Sequence, residues 1–291
     1  MPYEPHPSAG TLPPDDTVIW RFMSLAKFLS LLAKSSIFFC QALRLRNDDP
    51  YEGTLSRPNL MFYQLMKNPV FARQFFKMAP DEALPFNYLD VFSPDRQKQF
   101  GDIFASTTYV NCWNISEHES AFLWSMYASP SDGVGIRSTI ARLKKSIEVE
   151  KRNVYIGPVL YMDYNSEPIQ EDNSLNKFFR KRKSFEAERE LRACFIELVD
   201  GVGWSERALI VNPPGHYVSC DIPTLVDRVF VSPTAPQWYA DAVSEVVAKF
   251  GLEFPISKSS ISGPCDFLGA TVNTKEPQER SARAVPVSNA R

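Results

Sequence analysis

The alternation of apolar and polar positions along the chain predicts short strands separated by helices of uneven length. A β-rich run at 17–22 is followed by Ser24, a residue type that caps helix N-termini, and then by Leu25, Phe28, Leu29 and Leu32 along one helical face. Further β-rich runs lie at 37–40, 107–113, 133–136, 154–164, 188–198, 217–220 and 229–231, and helical spacing recurs at 119–127 and 233–250. Because the long rhythm of a parallel sheet is absent, the pattern favours an α+β fold with a mixed or antiparallel central sheet and flanking helices.

The chain divides into a main domain and two flanking segments. Residues 17–265 form the predicted single α+β domain. Within it, helical periodicity over 60–100 is broken by prolines, which predicts short helices in an insertion that supplies a wall or a lid. Residues 1–16 hold five prolines, and residues 266–291 are polar without periodicity, so we expect a disordered leader and a mobile tail.

Net charge and hydropathy limit the classes of partner that the chain is expected to bind. The 291 residues carry a formal net charge of -2 with a pI near 6.0, so nothing global attracts the chain to nucleic acid. A nucleic-acid partner would require a local basic patch, for which the run at 180–183 is the candidate, although such runs are usually solvated. No apolar run approaches the roughly 18 residues that a spanning helix requires, so we predict no membrane partner.

The five cysteines and three histidines predict neither a disulfide framework nor a metal site. The cysteines lie far apart, mostly within apolar runs, which indicates reduced, buried thiols in a reducing compartment. Structural zinc requires clustered ligands, and no such cluster is evident in the sequence. The leader has no cationic segment followed by an apolar stretch and does not resemble a secretory signal. We therefore predict a cytoplasmic protein without a metal.

The stretch 181–196 carries the most informative charges. Residues two apart in a strand share a face, so Glu188, Glu190 and Arg192 are predicted on one side of a strand whose other side is apolar. One interpretation places them at the exposed mouth of a cleft, where a ligand or partners compensate the cost of burying charge. The other interpretation is a solvated ion-pair cluster at a strand end.

Arg21 and a polar turn are further candidates. Arg21 lies between Trp20 and Phe22 on the first strand, where its planar guanidinium would grip a carboxylate or phosphate between aromatic walls. The alternative is an edge arginine that covers a hydrophobic strand. Asp49 and Glu52 belong to a turn that would present two carboxylates rigidly, and the alternative there is ordinary turn chemistry, in which an aspartate caps the backbone.

A predicted helix in the middle of the chain supplies aromatic candidates. Trp124 and Tyr127 are three residues apart on it, which would make a platform for a flat ring, although core packing is the commoner use of such a pair. Glu119 precedes this helix and is a further candidate. Cys112 is a poor candidate for a nucleophile, because His118 is six residues on without an evident orienting partner.

Taken in order, these motifs resemble the domain of unknown function 2971 family. The resemblance covers about 18–260 and is carried by Trp20-Arg21-Phe22, Ile37-Phe38-Phe39, Asp49-Pro50-Tyr51-Glu52, Cys112-Trp113, Glu119, Trp124-x-x-Tyr127, Gly133-Val134-Gly135-Ile136, Phe185-x-x-Glu188-x-Glu190-x-Arg192 and Val231-Ser232-Pro233. It implies a mainly bacterial, uncharacterised family and assigns no activity.

A looser similarity, to ADP-ribosyltransferases that use NAD, implies a fold of that type and a mechanism. In those enzymes an early strand offers a His or Arg, a middle strand offers polar or aromatic residues, and a late Glu-x-Glu strand carries catalysis. The similarity implies that Glu190 stabilises the cationic ribose, while Glu188 orients an acceptor on a protein or nucleic acid. The residues that it implies around the NAD cofactor are Arg21, Arg192, Trp113, Trp124 and Tyr127.

Two other function classes would use the same residues. The chain is alternatively a non-catalytic binding or regulatory module, in phage defence or toxin control, that holds a small nucleotide-like ligand. A nuclease or other hydrolase would require Asp49, Glu52, Glu188 and Glu190 to converge around a metal ion. The transferase interpretation requires that Arg21 and Glu190 face one another in one pocket.

Overall fold

A computed structural model describes residues 3–5, 9–84, 88–128, 131–197 and 212–261 of the chain. Over these ranges the strands are β1 (Tyr3–Pro5), β2 (Val18–Ser24), β3 (Ser36–Gln41), β4 (Thr108–Ile115), β5 (Gly133–Thr139), β6 (Val154–Pro158), β7 (Leu160–Met162), β8 (Arg180–Arg182), β9 (Glu190–Ile196), β10 (Gly215–Ser219), β11 (Arg228–Val231) and β12 (Ile256–Lys258). The tail predicted at 266–291 lies outside the described residues, and so does the end of the strand predicted at 188–198.

The helices flank this set of strands and fill the connection between β3 and β4. They are α1 (Leu25–Lys34), α2 (Arg57–Met66), α3 (Pro69–Phe75), α4 (Tyr88–Val91), α5 (Pro94–Thr107), α6 (Ala121–Tyr127), α7 (Ile140–Ser146), α8 (Ile222–Leu225) and α9 (Gln237–Lys249), with 3₁₀ turns at Ala42–Asn47, Asn176–Phe179 and Lys183–Glu188. Over the described ranges, none of these helices combines the length and apolar character that crossing a membrane demands.

Most of the strands join one mixed sheet. Its order is β1-β6-β9-β4-β2-β5-β11-β12, with β3 paired to β4 and β10 paired to β3. The β1–β6 and β11–β12 pairs are parallel and the other pairs in this sheet are antiparallel, while β7 and β8 form a small parallel sheet of their own. The prediction of an α+β fold with a mixed or antiparallel central sheet is confirmed, and the sheet is mixed and mostly antiparallel.

Strand β4 is the branching point of the sheet. β9 pairs with it from Thr108 to Asn114 along one edge. The opposite edge is divided between two strands, because β3 pairs with Tyr109 and Val110 while β2 pairs with Asn114 and Ile115. The sheet therefore separates into two branches on this side of β4, and α1 connects them.

Both faces of the central strands are covered by apolar side chains. On β2, Ile19 and Met23 point into the main core beside Phe28 of α1, whereas Trp20 and Phe22 point to the opposite face and belong to a separate apolar cluster. Burying a side chain as large as that of Phe28 contributes about 1.5–3 kcal/mol. Alternation along β2 therefore produces two packed layers, which explains why the strand is almost uniformly apolar.

The first helix begins at the predicted cap. The Ser24 hydroxyl accepts a bond from the backbone N–H of Lys27 at 3.4 Å. The helix ends at Ser35, whose φ of 45° places it in the left-handed region that commonly terminates helices. Phe28, Leu31 and Leu32 make its buried face, so the predicted face is confirmed at Phe28 and Leu32, while Leu31 and not Leu29 is the third buried residue.

Short helices fill the connection between β3 and β4, and they extend beyond the predicted insertion. These helices run from Arg57 to Thr107, beyond the expected limits of 60–100 on both sides. Pro69 does not break a helix but begins α3, directly after Asn68, whose side chain caps the helix. The insertion has a small apolar cluster of its own, centred on Met66 and Ala72.

Part of the segment predicted as a disordered leader is ordered. The backbone of Tyr3–Pro5 pairs with β6. Farther along, Leu12 packs against the main core, and Asp15 accepts a bond from Lys144 of α7. The high proline content of the segment was consistent with disorder, but an edge strand and short extended stretches accommodate prolines as well.

Candidate functional site

Strand β9 positions the charged residues that the sequence pattern singled out. Glu190 and Arg192 alternate with Leu191 and Ala193, which belong to the main core, so the two charged side chains share the other face as predicted. Glu188 is not on the strand. It ends the 3₁₀ turn Lys183–Glu188, and Arg189 follows with a φ of 40° before the strand begins. The prediction of three charges on one strand face is therefore wrong for Glu188.

Arg192 is the centre of a buried network of ionic hydrogen bonds. Its Nη1 and Nη2 donate to the two carboxylate oxygens of Glu52 at 2.7 and 2.9 Å, and its Nε donates to Glu190 at 2.5 Å. Nη1 also donates to the carbonyl oxygen of Phe178 at 2.5 Å. The guanidinium has no exposed surface, so every contact that offsets its desolvation comes from the protein.

Lys181 of β8 connects Glu190 to Glu188. Its Nζ lies 2.5 Å from Glu188 Oε2 and 3.0 Å from Glu190 Oε2. The hydroxyl of Tyr127 donates to the other oxygen of Glu188 at 2.9 Å, and that of Tyr161 accepts a bond from the backbone N–H of Glu190 at 2.8 Å. We call the residues Glu52, Lys181, Glu188, Glu190 and Arg192 the buried charge network.

Electrostatic coupling in this network fixes its ionisation. Burial alone would raise the pKa of Glu190, but the charges of Arg192 and Lys181 lower it to about 2. Burial alone would lower the pKa of Lys181 and of Arg192, but the Glu190 carboxylate raises both above their ordinary values. Burial and the Glu188 charge raise the pKa of Tyr127. Glu190, Lys181 and Arg192 therefore stay charged, and Tyr127 stays protonated, at neutral pH.

The turn that contains Asp49 and Glu52 lies beside β8 and β9. Glu52 belongs to the buried charge network, and Asp49 accepts a bond from Arg182 Nη2 at 2.6 Å. Arg182 also stacks on Tyr51, with the guanidinium carbon 4.3 Å from the ring centroid. Asp49 Oδ1 accepts from the backbone N–H of Tyr51 as well, so the turn chemistry expected of an aspartate operates together with the ion pair.

Neither interpretation of the charged strand is correct. Glu188, Glu190 and Arg192 are 6%, 3% and 0% exposed, so they do not line the mouth of an open cleft and they are not a solvated ion-pair cluster. Their partners come from distant parts of the chain, chiefly Glu52 and Lys181, which the strand pattern does not contain. Each of these charges has a charged partner within the protein, so no ligand is required to offset the cost of burying it.

Metal-dependent hydrolysis required several carboxylates to converge, and three of them do. Lys181 lies between Glu188 and Glu190, and Arg192 lies between Glu190 and Glu52. The places that a cation would occupy are thus taken by side-chain cations. In the part of the chain that the structure describes, no group of three or more His, Cys, Asp or Glu side chains is placed to hold a metal ion.

Arg21 and Glu190 lie on opposite faces of the sheet. Trp20 pairs with Asn114, and Asn114 pairs with Glu190, so these three residues share a face. Arg21 points the other way and lies over the ring of Trp113, 5.9 Å from its centroid. The predicted pocket with Arg21 and Trp113 across from Glu190 does not exist. Burial lowers the pKa of Arg21, and β2 lies within the sheet between β4 and β5, so the alternative of an edge arginine is wrong as well.

The remaining aromatic candidates separate from one another. Trp124 is buried against Phe22 at a centroid distance of 4.9 Å, and its Nε1 donates to Glu119 at 3.0 Å. Trp124 is therefore a core residue that Glu119 holds in place. Tyr127 reaches the buried charge network instead. The Cys112 thiol has a pKa well above its ordinary value, chiefly because of burial, which agrees with its rejection as a nucleophile.

The basic run at 180–183 does not form an exposed patch. Arg180 and Lys181 are 9% exposed. Lys181 is paired with Glu188 and Glu190, and Arg182 is paired with Asp49. Lys183 lies 3.4 Å from Glu167 at the surface. The run was the candidate basic patch for a nucleic-acid partner, and the charges of Lys181, Arg182 and Lys183 are paired with carboxylates of the protein instead.

A cavity of about 1000 Å³ lies between the helical insertion and the segment at 169–177. The turn that contains Asp49 and Glu52 separates this cavity from the buried charge network, because Tyr51 and Gly53 line the cavity while Glu52 points to Arg192. Aromatic rings supply much of its wall, namely Tyr51, Tyr63, Phe92, Phe100 and Phe104. Its size is typical of a ligand pocket.

The charged side chains on the cavity wall are mostly basic. They are Arg46, Lys67, Lys98 and Lys177, against Asp102 and Glu171. Asp102 is neutralised by Arg46 and Lys98 at 2.6 and 2.7 Å. Glu171 accepts bonds from the Tyr63 hydroxyl and from Asn59. Lys67 and Lys177 belong to none of the ion pairs among the described residues.

Sequence reasoning missed the cavity and two of its features. The insertion was expected to supply a wall or a lid, but its aromatic residues were not recognised as pocket-forming, because helical spacing alone does not distinguish a packed face from a cavity wall. Lys177 precedes Phe178 and Phe179 in an apolar run. A lysine within such a run was a signal of partial burial.

Comparisons of the chain with family models, curated proteins and solved structures found no match.

Proposed function

We propose that the chain is a non-catalytic binding module for a small nucleotide-like ligand, which occupies the cavity between the helical insertion and the segment at 169–177. The observation that carries the proposal is the composition of that cavity. About 1000 Å³ of space is walled by aromatic rings and by more basic than acidic side chains. An aromatic ring that carries negative charge is the ligand chemistry that complements both features.

Each part of such a ligand has complementary groups on the wall. A planar base would stack on Tyr51, Phe92 or Phe100, and base stacking on aromatic side chains contributes about 1–3 kcal/mol per base. Phosphate groups would be attracted by Lys67 and Lys177, which have no described carboxylate in an ion pair with them. Binding by both ends of the ligand would favour a nucleotide over either group alone.

NAD belongs to this ligand class, but its transfer chemistry required Arg21 and Glu190 in one pocket, and the two residues lie on opposite faces of the sheet. Both oxygens of Glu190 are bonded to Arg192, and one of them also to Lys181, so the carboxylate is not free to face a ribose. Membership of the domain of unknown function 2971 family and an ADP-ribosyltransferase-like fold are kept here as predictions from motif order. A cytoplasmic role in phage defence or toxin control is kept in the same way.

Calorimetric titration with ADP and with NAD tests the proposal. Gln64 lines the cavity and Gln74 does not, although both are exposed on helices of the insertion. We expect Gln64→Trp to fill the space and to weaken binding at least tenfold, while Gln74→Trp binds as the unmodified chain does. If neither ligand binds at millimolar concentration to a folded chain, or if both variants bind equally well, the cavity is not the site.

Charge reversal and turnover are separate measurements. Lys67→Glu should weaken ADP binding several-fold because it removes the attraction for phosphate, whereas Lys145→Glu, at an exposed position on α7 away from the cavity, should not. Incubation with labelled NAD should release no nicotinamide above the protein-free rate. Release that Glu190→Gln abolishes would overturn the non-catalytic assignment in favour of a transferase.

A further inference from the structure

Lys177 brings a primary amine to an aromatic corner of the cavity. Its Nζ lies 4.8 Å from the centroid of the Phe104 ring and 5.4 Å from that of the Phe178 ring. The residue belongs to the 3₁₀ turn Asn176–Phe179 and lines the cavity. None of the ion pairs among the described residues includes it. The amine therefore meets a ligand space without a carboxylate bound to it.

The surroundings of this amine shift its protonation equilibrium toward the neutral form, although the charged form stays the major one at neutral pH. Burial and, to a smaller extent, the positive charge of Arg46 lower the pKa of Lys177, Glu171 and Asp102 act in the opposite direction, and the net pKa is about 8. At pH 7.5 a pKa near 8 leaves about a quarter of the amine unprotonated, against about one part in a thousand for an ordinary lysine. A neutral amine is a nucleophile, and an ammonium ion is not.

We propose that Lys177 is a nucleophilic amine that forms an imine with an aldehyde or ketone carried by an aromatic ligand in the cavity. The inference rests on the proposed function only in that the cavity is a ligand site. It adds a covalent step and a ligand class, the aromatic carbonyl compounds, that reversible nucleotide binding does not require.

The chemistry is a condensation without oxidation or reduction. The nitrogen lone pair attacks the carbonyl carbon, the carbon–oxygen π bond breaks, and a carbinolamine forms. Loss of the hydroxyl group and of the remaining nitrogen-bound proton gives the carbon–nitrogen double bond and one molecule of water. The amine supplies both hydrogens of that water, so no other reactant is needed. Hydrolysis reverses the step and returns the free lysine.

A purely structural lysine would behave differently from a nucleophilic one. An ammonium ion that only covers the rings of Phe104 and Phe178 would be stabilised by their π faces. It would react no faster than exposed lysines such as Lys145 and Lys249. Labelling at one residue among many lysines therefore separates the two roles.

The experiment uses the full chain with pyridoxal 5′-phosphate, an aromatic aldehyde that carries a phosphate group, followed by reduction with cyanoborohydride and peptide mass analysis. At pH 7.5 we expect Lys177 to be labelled at least tenfold faster than Lys145 and Lys249. Its labelling should reach half of the maximum near pH 8, whereas labelling of the exposed lysines should still be rising at that pH. Equal labelling of all three residues would overturn the proposal.

Two variants and a second probe complete the test. Lys177→Arg retains the charge, and Lys177→Met retains the apolar stem, so at least one folded variant should lose the labelled peptide. Benzaldehyde, which has no phosphate, should still label Lys177. If ADP binds and neither aldehyde labels Lys177, the imine proposal fails while the binding function stands. If the aldehydes label Lys177 and no nucleotide binds, the proposed nucleotide function fails instead.

Discussion

Arg192 and Glu52 are 140 positions apart in the chain, yet they form a two-point contact in which Nη1 and Nη2 of the arginine donate to both carboxylate oxygens. Both side chains are almost wholly buried. The planar guanidinium fits the planar carboxylate only in this orientation, so the contact fixes how the turn after β3 lies against β9. The same turn, which contains Asp49 and Glu52, also places Tyr51 and Gly53 on the cavity wall.

Removal of the Glu52 charge should destabilise the fold. In Glu52→Gln the amide keeps the size of the side chain, but the Arg192 charge loses one of its two carboxylate partners. Breaking a buried ion pair costs about 3–5 kcal/mol, and we expect a loss near the lower end because Glu190 is retained. Urea unfolding measures it. Glu186→Gln, at an exposed position of the neighbouring 3₁₀ turn, should change stability by less than about 0.5 kcal/mol. Equal effects of the two substitutions would contradict the role of the network.

Acid should remove the contribution that the ionised Glu190 carboxylate makes to the free energy of unfolding. Its pKa in the folded chain, about 2, lies below the ordinary 4.5, so the ionised carboxylate stabilises the fold above the unfolded value. That contribution is lost as the pH falls from about 4.5 to about 2 and is on the order of 3 kcal/mol. The difference in unfolding free energy between the unmodified chain and Glu190→Gln should therefore shrink over this window. A difference independent of pH would show that Glu190 does not titrate as described.

Gly53 lines the cavity, and Gly251, which follows α9, does not. Alanine substitutions at the two positions therefore form a matched pair of variants. Both have positive φ, 63° and 69°, which strains any other residue. A Cβ on Gly53 would lie 2.3 Å from the ring of Phe178, whereas a Cβ on Gly251 would meet nothing within 4 Å. We expect Gly251→Ala to cost about 1 kcal/mol and Gly53→Ala to cost about 1–3 kcal/mol more. Thermal unfolding compares them, and similar losses would mean that Phe178 yields without cost.

Substitution of Arg182 tests whether ring stacking adds to the stability that its ion pair contributes. Its guanidinium bonds Asp49 and lies 4.3 Å from the ring centroid of Tyr51 and 5.2 Å from that of Phe185. Lysine at this position keeps the charge but loses the flat surface, so Arg182→Lys should cost about 1 kcal/mol. Lys183→Arg, at the exposed neighbour, should be neutral. Chemical denaturation checks both, and a neutral Arg182→Lys would show that only charge matters there.

The sequence predicted local elements better than it predicted what those elements meet. The cap at Ser24, the buried face of α1 and the alternation of Glu190 and Arg192 with Leu191 all follow from spacing of 3.6 or 2 residues. These features depend on neighbours along the chain. Class and sheet type could therefore be derived, and so could the helical insertion between β3 and β4.

The periodicity of the sequence could not predict contacts between residues that are far apart in the chain. Lys181 was noted only as part of a basic run, and its contacts with Glu188 and Glu190 depend on β8 folding back beside β9. Glu188 was assigned to the strand because nothing in the sequence marks Arg189, a non-glycine residue, as left-handed. The face of Arg21 relative to Glu190 depends on the register between β2, β4 and β9, which no single strand encodes.

The separation between Glu52 and Arg192 also has a consequence for synthesis of the chain. As the polypeptide leaves the ribosome, Glu52 emerges long before any residue of β9, and its partner follows only after 140 more positions. Contacts between such distant residues slow folding, because the intervening segment must first be closed into a loop. The amino-terminal half is thus made with a carboxylate that its final environment does not yet neutralise. The buried charge network can therefore form only after β9 has been synthesised.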